Sequence, residues 1–303
     1  MTDRPVATIV FKSVGDCEIR ADVYTDGGVG PKPGIIWLHG GALVFGDRGM
    51  LHPAQAALYT SAGYVVVAVD YRLAPETKLP EILTDIQDAI AWAREAGPSL
   101  FGLDPRRVAV VGHSAGGYLT LLAGLSVEPR PQALVAFYGY GDIVGPWYSE
   151  PSPFYCQQPL VSEAEARAVV GVTEISQGPW RGTIDGDGQP DRSRFYLYCR
   201  QQGTWPWMAT GLDRHQDLPA ILRFCPERYV APDYPPTLLL HGDDDTDVPY
   251  ERSVTMARAL TNHGVLHQLL TIPGGEHGFD ARMDEPRVTA MFAQVLAFLA
   301  RHV

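Results

Sequence analysis

The chain is short of cysteine, short of basic residues, and has no long apolar run. Its four cysteines, Cys17, Cys156, Cys199 and Cys225, show no C-x-x-C spacing. They are too sparse for a disulfide scaffold, so reduced, mostly buried thiols in a cytoplasmic protein are expected. Against 35 acidic residues stand 24 basic ones, a formal net charge of −11. A phosphate backbone would be repelled, and no basic run offsets that, so nucleic acid is not an expected partner. Anionic membrane surfaces are disfavoured for the same reason. No apolar stretch approaches the roughly 20 residues needed to span a bilayer. Met1-Thr-Asp-Arg-Pro5 lacks a basic region followed by an apolar one, so no secretory leader is expected. Internal repeats and low-complexity tracts are absent too. What remains is the composition of an ordinary globular protein, 46% hydrophobic and 19% charged over 303 residues. That length suits one large α/β domain or a domain with an insertion.

Against these absences one stretch stands out, Val108 to Leu119. Val108 to Val111 reads as a buried strand, and Gly112-His113-Ser114-Ala115-Gly116 fits G-x-S-x-G. Tyr118, Leu119, Leu121, Leu122 and Leu125 then follow at helical spacing. A strand and a helix therefore meet at Ser114. So sharp a turn strains the serine backbone and lifts its hydroxyl clear of the sheet, with glycines where neighbouring backbone passes close. The plain alternative is a glycine-rich joint with no chemistry; the strand-turn-helix context favours a nucleophile.

Other strands are expected at 8–14 and 17–25, as a hairpin, and at 34–38, 64–72, 133–138, 237–241 and 267–272. Helices are expected near 50–62, at 81–96, ended by Gly97-Pro98, at 250–263, and over 288–299, where Val288, Met291, Phe292, Val295, Leu296 and Leu299 form a stripe. The alternation predicts a mostly parallel, eight-stranded sheet with helices on both faces. Residues 141–232 break it, with few clean strands, one clear helix at Ser162 to Val170, and four of the six tryptophans. A solvated linker would be poor in aromatics. We expect a core of 1–140 and 233–303, and a cap of 141–232 inserted after the sixth strand, over the carboxyl ends of the parallel strands where ligands of open α/β sheets bind.

A serine hydroxyl is a weak nucleophile and needs a base and an acid to orient it, in chain order Ser, Asp or Glu, His in this topology. Among nine histidines, His277 alone sits in a glycine-flanked loop after a late strand. His39, His113 and His241 border the site and are expected to orient loops. Four aspartates, 243, 244, 245 and 247, lie near the acid position. Oxyanion donors are expected from the backbone N–H of Ala115 and from the loop His39-Gly-Gly-Ala42.

With these residues assembled, the chain resembles the α/β-hydrolases, and among them the hormone-sensitive-lipase-like carboxylesterases. The resemblance rests on His39-Gly-Gly, on Asp70-Tyr-Arg-Leu-Ala-Pro-Glu76 with Leu79-Pro80, and on Ser114-Ala-Gly-Gly117. His241-Gly-x-x-Asp245-x-x-Val-Pro249 and His277-Gly-Phe279 complete it. It selects Asp245 as the acid and implies oxyanion donors at Gly41, Ala42 and Ala115. It also implies structural roles for Arg72 and Glu76, and hydrolysis of short- or medium-chain esters through an acyl-enzyme, with no cofactor or metal; the aromatic residues of 141–232 add aryl esters to the expectation. Three features depart from the pattern. Ala42 replaces a third glycine, and His113 stands where an acidic residue is common. The oxyanion strand begins at residue 34, so the whole cap is expected from 141–232.

An amide or formamide hydrolase of arylformamidase type shares this triad, as does a peptidase, although no length for a gating propeller precedes the first strands. A ligand sensor on a hydrolase scaffold ranks last, because the whole triad is present. Trp147, Tyr148, Phe154, Tyr155, Trp205 and Trp207 are candidates to line the pocket, and Arg181, Arg192, Arg194 and Arg200 to fix a substrate carboxylate. The sequence leaves a homodimer open.

Overall fold

A computed structural model describes residues 4–28, 30–179 and 191–303. Its sheet is built from β1 (Ala7–Val14), β2 (Cys17–Tyr24), β3 (Lys32–Leu38), β4 (Val65–Val69), β5 (Leu103–His113), β6 (Ala133–Phe137), β7 (Thr237–Gly242) and β8 (His267–Ile272). They lie in the order β1-β2-β4-β3-β5-β6-β7-β8. β1 and β2 pair antiparallel, as do β2 and β4, and every other pairing is parallel. This is the expected sheet.

Successive side chains of a strand point to opposite faces, so the buried runs split between two cores. Ile36, Leu38, Val65, Val67, Val108 and Val110 face one core, Ile35, Trp37, Val66, Ala68, Ala109 and Val111 the other. Helices α1 (Pro53–Ser61), α2 (Leu79–Phe101) and α3 (Ala115–Ser126) belong to the first half of the chain. The second half adds α4 (Pro146–Ser149), α5 (Glu163–Arg167), α6 (Ser193–Gln202), α7 (Trp205–Thr210), α8 (Leu218–Leu222), α9 (Glu251–Asn262) and α10 (Pro286–His302). α10 buries the expected stripe from Val288 to Leu299 except Leu296, which is half-buried, and adds Phe298.

Two boundaries differ from expectation. α2 runs through Gly97-Pro98 to a left-handed cap at Gly102, with φ of 70°. Gly97 is there for close approach: a Cβ would come within 3.2 Å of Leu103 Cβ. Residues 141–232 hold α4 to α8 where only one helix was expected. They contact the loops that follow β3 and β7, through Trp205 to Ala42 and through Arg200 to Asp247. The four cysteines are free, and only Cys156 is exposed. Among the described residues, no helix is long and apolar enough to cross a membrane.

Candidate active site

Ser114 joins β5 to α3 with φ of 56° and ψ of −117°, a conformation that an L-residue rarely holds. The surroundings fix it there: its N–H donates to Phe137 O at 2.9 Å, at the end of β6. Glycines allow the turn to close. A Cβ on Gly112 would stand 2.2 Å from Gly116 O, and one on Gly116 would stand 2.2 Å from Leu38 O. The sharp turn leaves the hydroxyl clear of the sheet.

The loops after β7 and β8 approach each other just as closely, since a Cβ on Gly242 would lie 2.0 Å from Gly275 O. They bring His277 to Ser114. The Ser114 hydroxyl donates to His277 Nε2 at 3.0 Å, and His277 Nδ1–H donates to Asp245 Oδ2 at 2.7 Å. Asp245 is itself fixed: Oδ1 accepts from the N–H groups of Asp247 and Val248, both at 2.9 Å. His241 stands behind it. Ser253 donates to His241 Nδ1 at 2.7 Å, so Nε2 carries the proton, donates to Val248 O at 2.9 Å and lies 3.3 Å from Asp245 Oδ2. Burial pushes the Asp245 carboxyl up, but the hydrogen bonds from His241 and His277 outweigh it and hold it well below the usual carboxylate range.

Asp247, another of the four aspartates near the acid position, stands against His277, with Oδ2 3.6 Å from Nε2. Its Oδ1 accepts from Tyr196 and Arg200 of α6, each at 2.6 Å. Arg200 is buried among the rings of Trp147, Tyr148, Tyr155 and Tyr196. Desolvation lowers the His277 pKa, but the Asp245 hydrogen bond and the charges of Asp247, Asp245 and Asp280 more than reverse that, so it rises above 6.5.

The loop after β3 carries His39 to Ala42 past Ser114. His39 is buried, stacked on Tyr71 at 4.1 Å, and pushed down to about 4 by that burial. Among the described residues, the N–H groups of Gly41, Ala42 and Ala115 donate to nothing. Three backbone donors are thus left open beside the serine.

Ser114, His277, Gly41 and Ala42 share a cavity of about 400 Å³ walled by Trp37, Phe45, Met50, Tyr138 and Tyr196, with His52, Gln55, His113, Asp247 and Asp280 among its polar residues. A buried carboxylate, Asp280, stands beside His113. It accepts from Tyr138 at 2.5 Å and Gln55 at 2.6 Å, and lies 3.5 Å from His113 Nε2. Tyr138 in turn packs on His277, ring centres 4.5 Å apart.

The cavity is walled by other aromatic residues than those expected. Trp147, Tyr148, Trp205 and Trp207 do not line the cavity, and neither do Phe154 and Tyr155. Trp147 stacks on Tyr148 and Tyr148 on Trp205, each at 4.1 Å, so the rings bury one another. Trp207 packs under Arg214. The arginines are occupied as well: Arg192 pairs with Glu76, Arg200 with Asp247, and exposed Arg194 with Glu165. Arg181 lies outside the described residues. Arg72 is tied to Asp85 and Glu174.

Comparison with known proteins agrees with this architecture. A family model described as alpha/beta hydrolase fold matches residues 35–170, and one described as prolyl oligopeptidase family matches residues 177–303. Esterase LipC of Mycobacterium tuberculosis is 32% identical, over 82% of this chain and 54% of that protein. Non-reducing polyketide synthase Preu3 of Preussia isomera is 29% identical, over 92% of this chain but only 13% of its own length. Among solved structures, the butyrate-bound esterase Est2 of Thermogutta terrifontis aligns with a TM-score of 0.64 at 19% identity, over 97% of this chain and 93% of that one. The chain thus spans about half of one curated relative and a small part of the other. With this fold and these matches, the chain belongs to the α/β-hydrolases, and esterases are among the proteins it is similar to.

Proposed function

We propose that the chain is a serine carboxylesterase. Ser114 attacks the ester carbonyl while His277 Nε2 takes its proton; Asp245 stabilises the imidazolium. The N–H groups of Gly41, Ala42 and Ala115 receive the oxyanion, and His277 returns the proton to the departing alcohol oxygen. Water, deprotonated by the same imidazole, then hydrolyses the acyl-enzyme. The observation that carries this reading is the hydrogen-bonded line from Asp245 through His277 to Ser114, at 2.7 and 3.0 Å, opening onto a walled cavity. We take residues 141–232 as its cap, because they hold both the loop after β3 and Asp247.

A cavity of about 400 Å³ is near the small end of ligand sites, which favours short acyl chains or a single ring over long lipids. Asp247 and Asp280 line it, and no Lys or Arg does among the described residues, which favours neutral esters over anionic ones. The polyketide synthase relative, which matches 92% of this chain, favours a second reading in which the same serine chemistry releases a polyketide acyl group.

The test is a panel: p-nitrophenyl acetate through dodecanoate, the benzoate, a carboxylate-bearing hemisuccinate, an N-formyl aryl amide and a β-ketoacyl thioester. Fastest turnover of short or aryl neutral esters is expected. Preference for the thioester would move the assignment to the second reading, and preference for the amide would sink both.

The acid limb of kcat/KM reports His277, which must be neutral to accept the Ser114 proton. Its pKa is raised, so activity is expected to rise with pH through a midpoint above 6.5. Asp247→Asn removes one charge that favours the imidazolium, so its midpoint should fall. A pH profile of both proteins checks this; an unmoved midpoint would show that Asp247 does not act on His277.

A further inference from the structure

The segment from Gly41 to Gly46 is held at one carbonyl after another, and much of the holding comes from a distant part of the chain. Gly41 O accepts from Val44 N at 2.8 Å and Phe45 N at 3.0 Å, and Leu43 O accepts from Ala74 N at 2.7 Å. Ala42 O accepts from the indole Nε1–H of Trp205 at 2.8 Å, and Val44 O from Arg192 Nε at 2.6 Å. Gly46 and Gly178 exchange two backbone bonds, at 2.8 and 3.2 Å. Trp205, Arg192 and Gly178 all belong to the 141–232 insertion.

The loop needs this holding. Ala42 and Leu43 stand at φ of 54° and 62°, a left-handed conformation that residues with a Cβ seldom keep unless their surroundings enforce it. Peptide planarity turns the holding into aim. Gly41 C=O and Ala42 N–H share one trans peptide unit and point in opposite directions. Because Gly41 O is turned inward to Val44 and Phe45, Ala42 N–H is turned outward, where it has no partner among the described residues. The next peptide unit is fixed by Trp205. That indole is 1% exposed and stacked 11° from parallel on Tyr148, so it has no room to swing. Arg192 is clamped as well, by Ala74 O at 2.8 Å and by both oxygens of Glu76.

We propose that Trp205 and Arg192, neither of which lines the cavity, are positioning residues for the oxyanion donors. They hold Ala42 O and Val44 O, and so keep the Gly41 and Ala42 N–H groups aimed where the tetrahedral oxygen forms. The inference rests on the esterase reading of the loop. It assigns the insertion a part in the chemistry without substrate contact.

Trp205→Phe keeps a ring on Tyr148 and removes the indole donor, together with part of the buried ring system. We expect kcat to fall about 10- to 100-fold with KM within about twofold, because an oxyanion donor moved off target loses transition-state binding. Affinity for a boronic acid, which forms a tetrahedral adduct on a serine, should fall by the same factor. Arg192→Lys, which keeps a cation beside Glu76 but not the Nε–H, should show the same pattern. Trp207→Phe, two residues on in α7 and without an Nε1 partner among the described residues, should change neither quantity. Amide exchange across 40–46 should speed up in Trp205→Phe alone of the two tryptophan variants. Wild-type kcat and boronate affinity in folded Trp205→Phe would overturn the inference and leave packing as the role of Trp205. A wild type that neither hydrolyses esters nor binds the boronate would instead overturn the esterase reading. The holding role would then be judged on exchange, and unchanged exchange would sink it.

Discussion

Ser114→Ala is expected to lower kcat by on the order of 10⁶, the loss typical when a triad serine is removed. The substitution is clean. Ser114 caps no helix with its side chain, and its hydroxyl has one hydrogen-bond partner among the described residues, His277. Alanine keeps the Cβ and therefore the same strain at φ of 56°, so the fold should persist with little change in stability. Glycine at 114 separates chemistry from strain. It is expected to be as inactive as alanine but more stable than alanine by about 1 kcal/mol, since glycine adopts this conformation freely. Ester turnover and thermal unfolding of the three proteins check both halves. Retained turnover in either variant would place the nucleophile elsewhere; equal stability of the two would remove the argument that the serine backbone is strained.

The central strands β3, β4, β6 and β7 were legible because each holds a short, nearly uninterrupted apolar run. Burial on both faces demands that of a parallel sheet. The Ser114 and His277 positions were legible because each lies in a glycine-flanked turn or loop after a strand, whereas Asp245 was picked out from four neighbouring aspartates only by the family resemblance. The helices within residues 141–232 were not legible, apart from α5. They are 4 to 10 residues long, and one or two turns carry little periodic signal. A proline at the first or second position opens α4, α7 and α8, and that start signal could have located them. The pocket was misread for a different reason. Counting aromatics shows that a core exists but not which rings end in it. Trp205 and Tyr148 found each other, while Trp37, Phe45 and Tyr138 from the hydrolase core and its loops walled the cavity with Tyr196 of α6. Arg200 and Asp247 are 47 positions apart, and no local pattern pairs them.

Asp245→Asn should cost on the order of 10⁴ in kcat, the loss typical of the wrong histidine tautomer, with KM little changed. Asparagine fits the same space, but the site dictates which way its amide faces. The Oδ1 position receives N–H donors from Asp247 and Val248, both at 2.9 Å. An NH₂ group placed there would meet two donors, so the amide oxygen takes that side and the NH₂ turns to His277 Nδ1. Confronted with a donor, Nδ1 must become the acceptor, and the ring proton moves to Nε2. Nε2 then donates toward Ser114 Oγ across 3.0 Å and cannot take the serine proton. His241 deepens the loss, because its Nε2–H lies 3.3 Å from the oxygen that becomes an NH₂ and loses an acceptor. Asp245→Ala removes the carboxylate without imposing a donor on Nδ1, and leaves His277 free to choose its tautomer. It should therefore be no worse than asparagine, although it removes more of the side chain. Nitrogen-15 chemical shifts of the His277 ring would report the tautomer in each variant. An asparagine variant with its proton still on Nδ1, or one more active than the alanine variant, would show that Asp245 acts by charge alone.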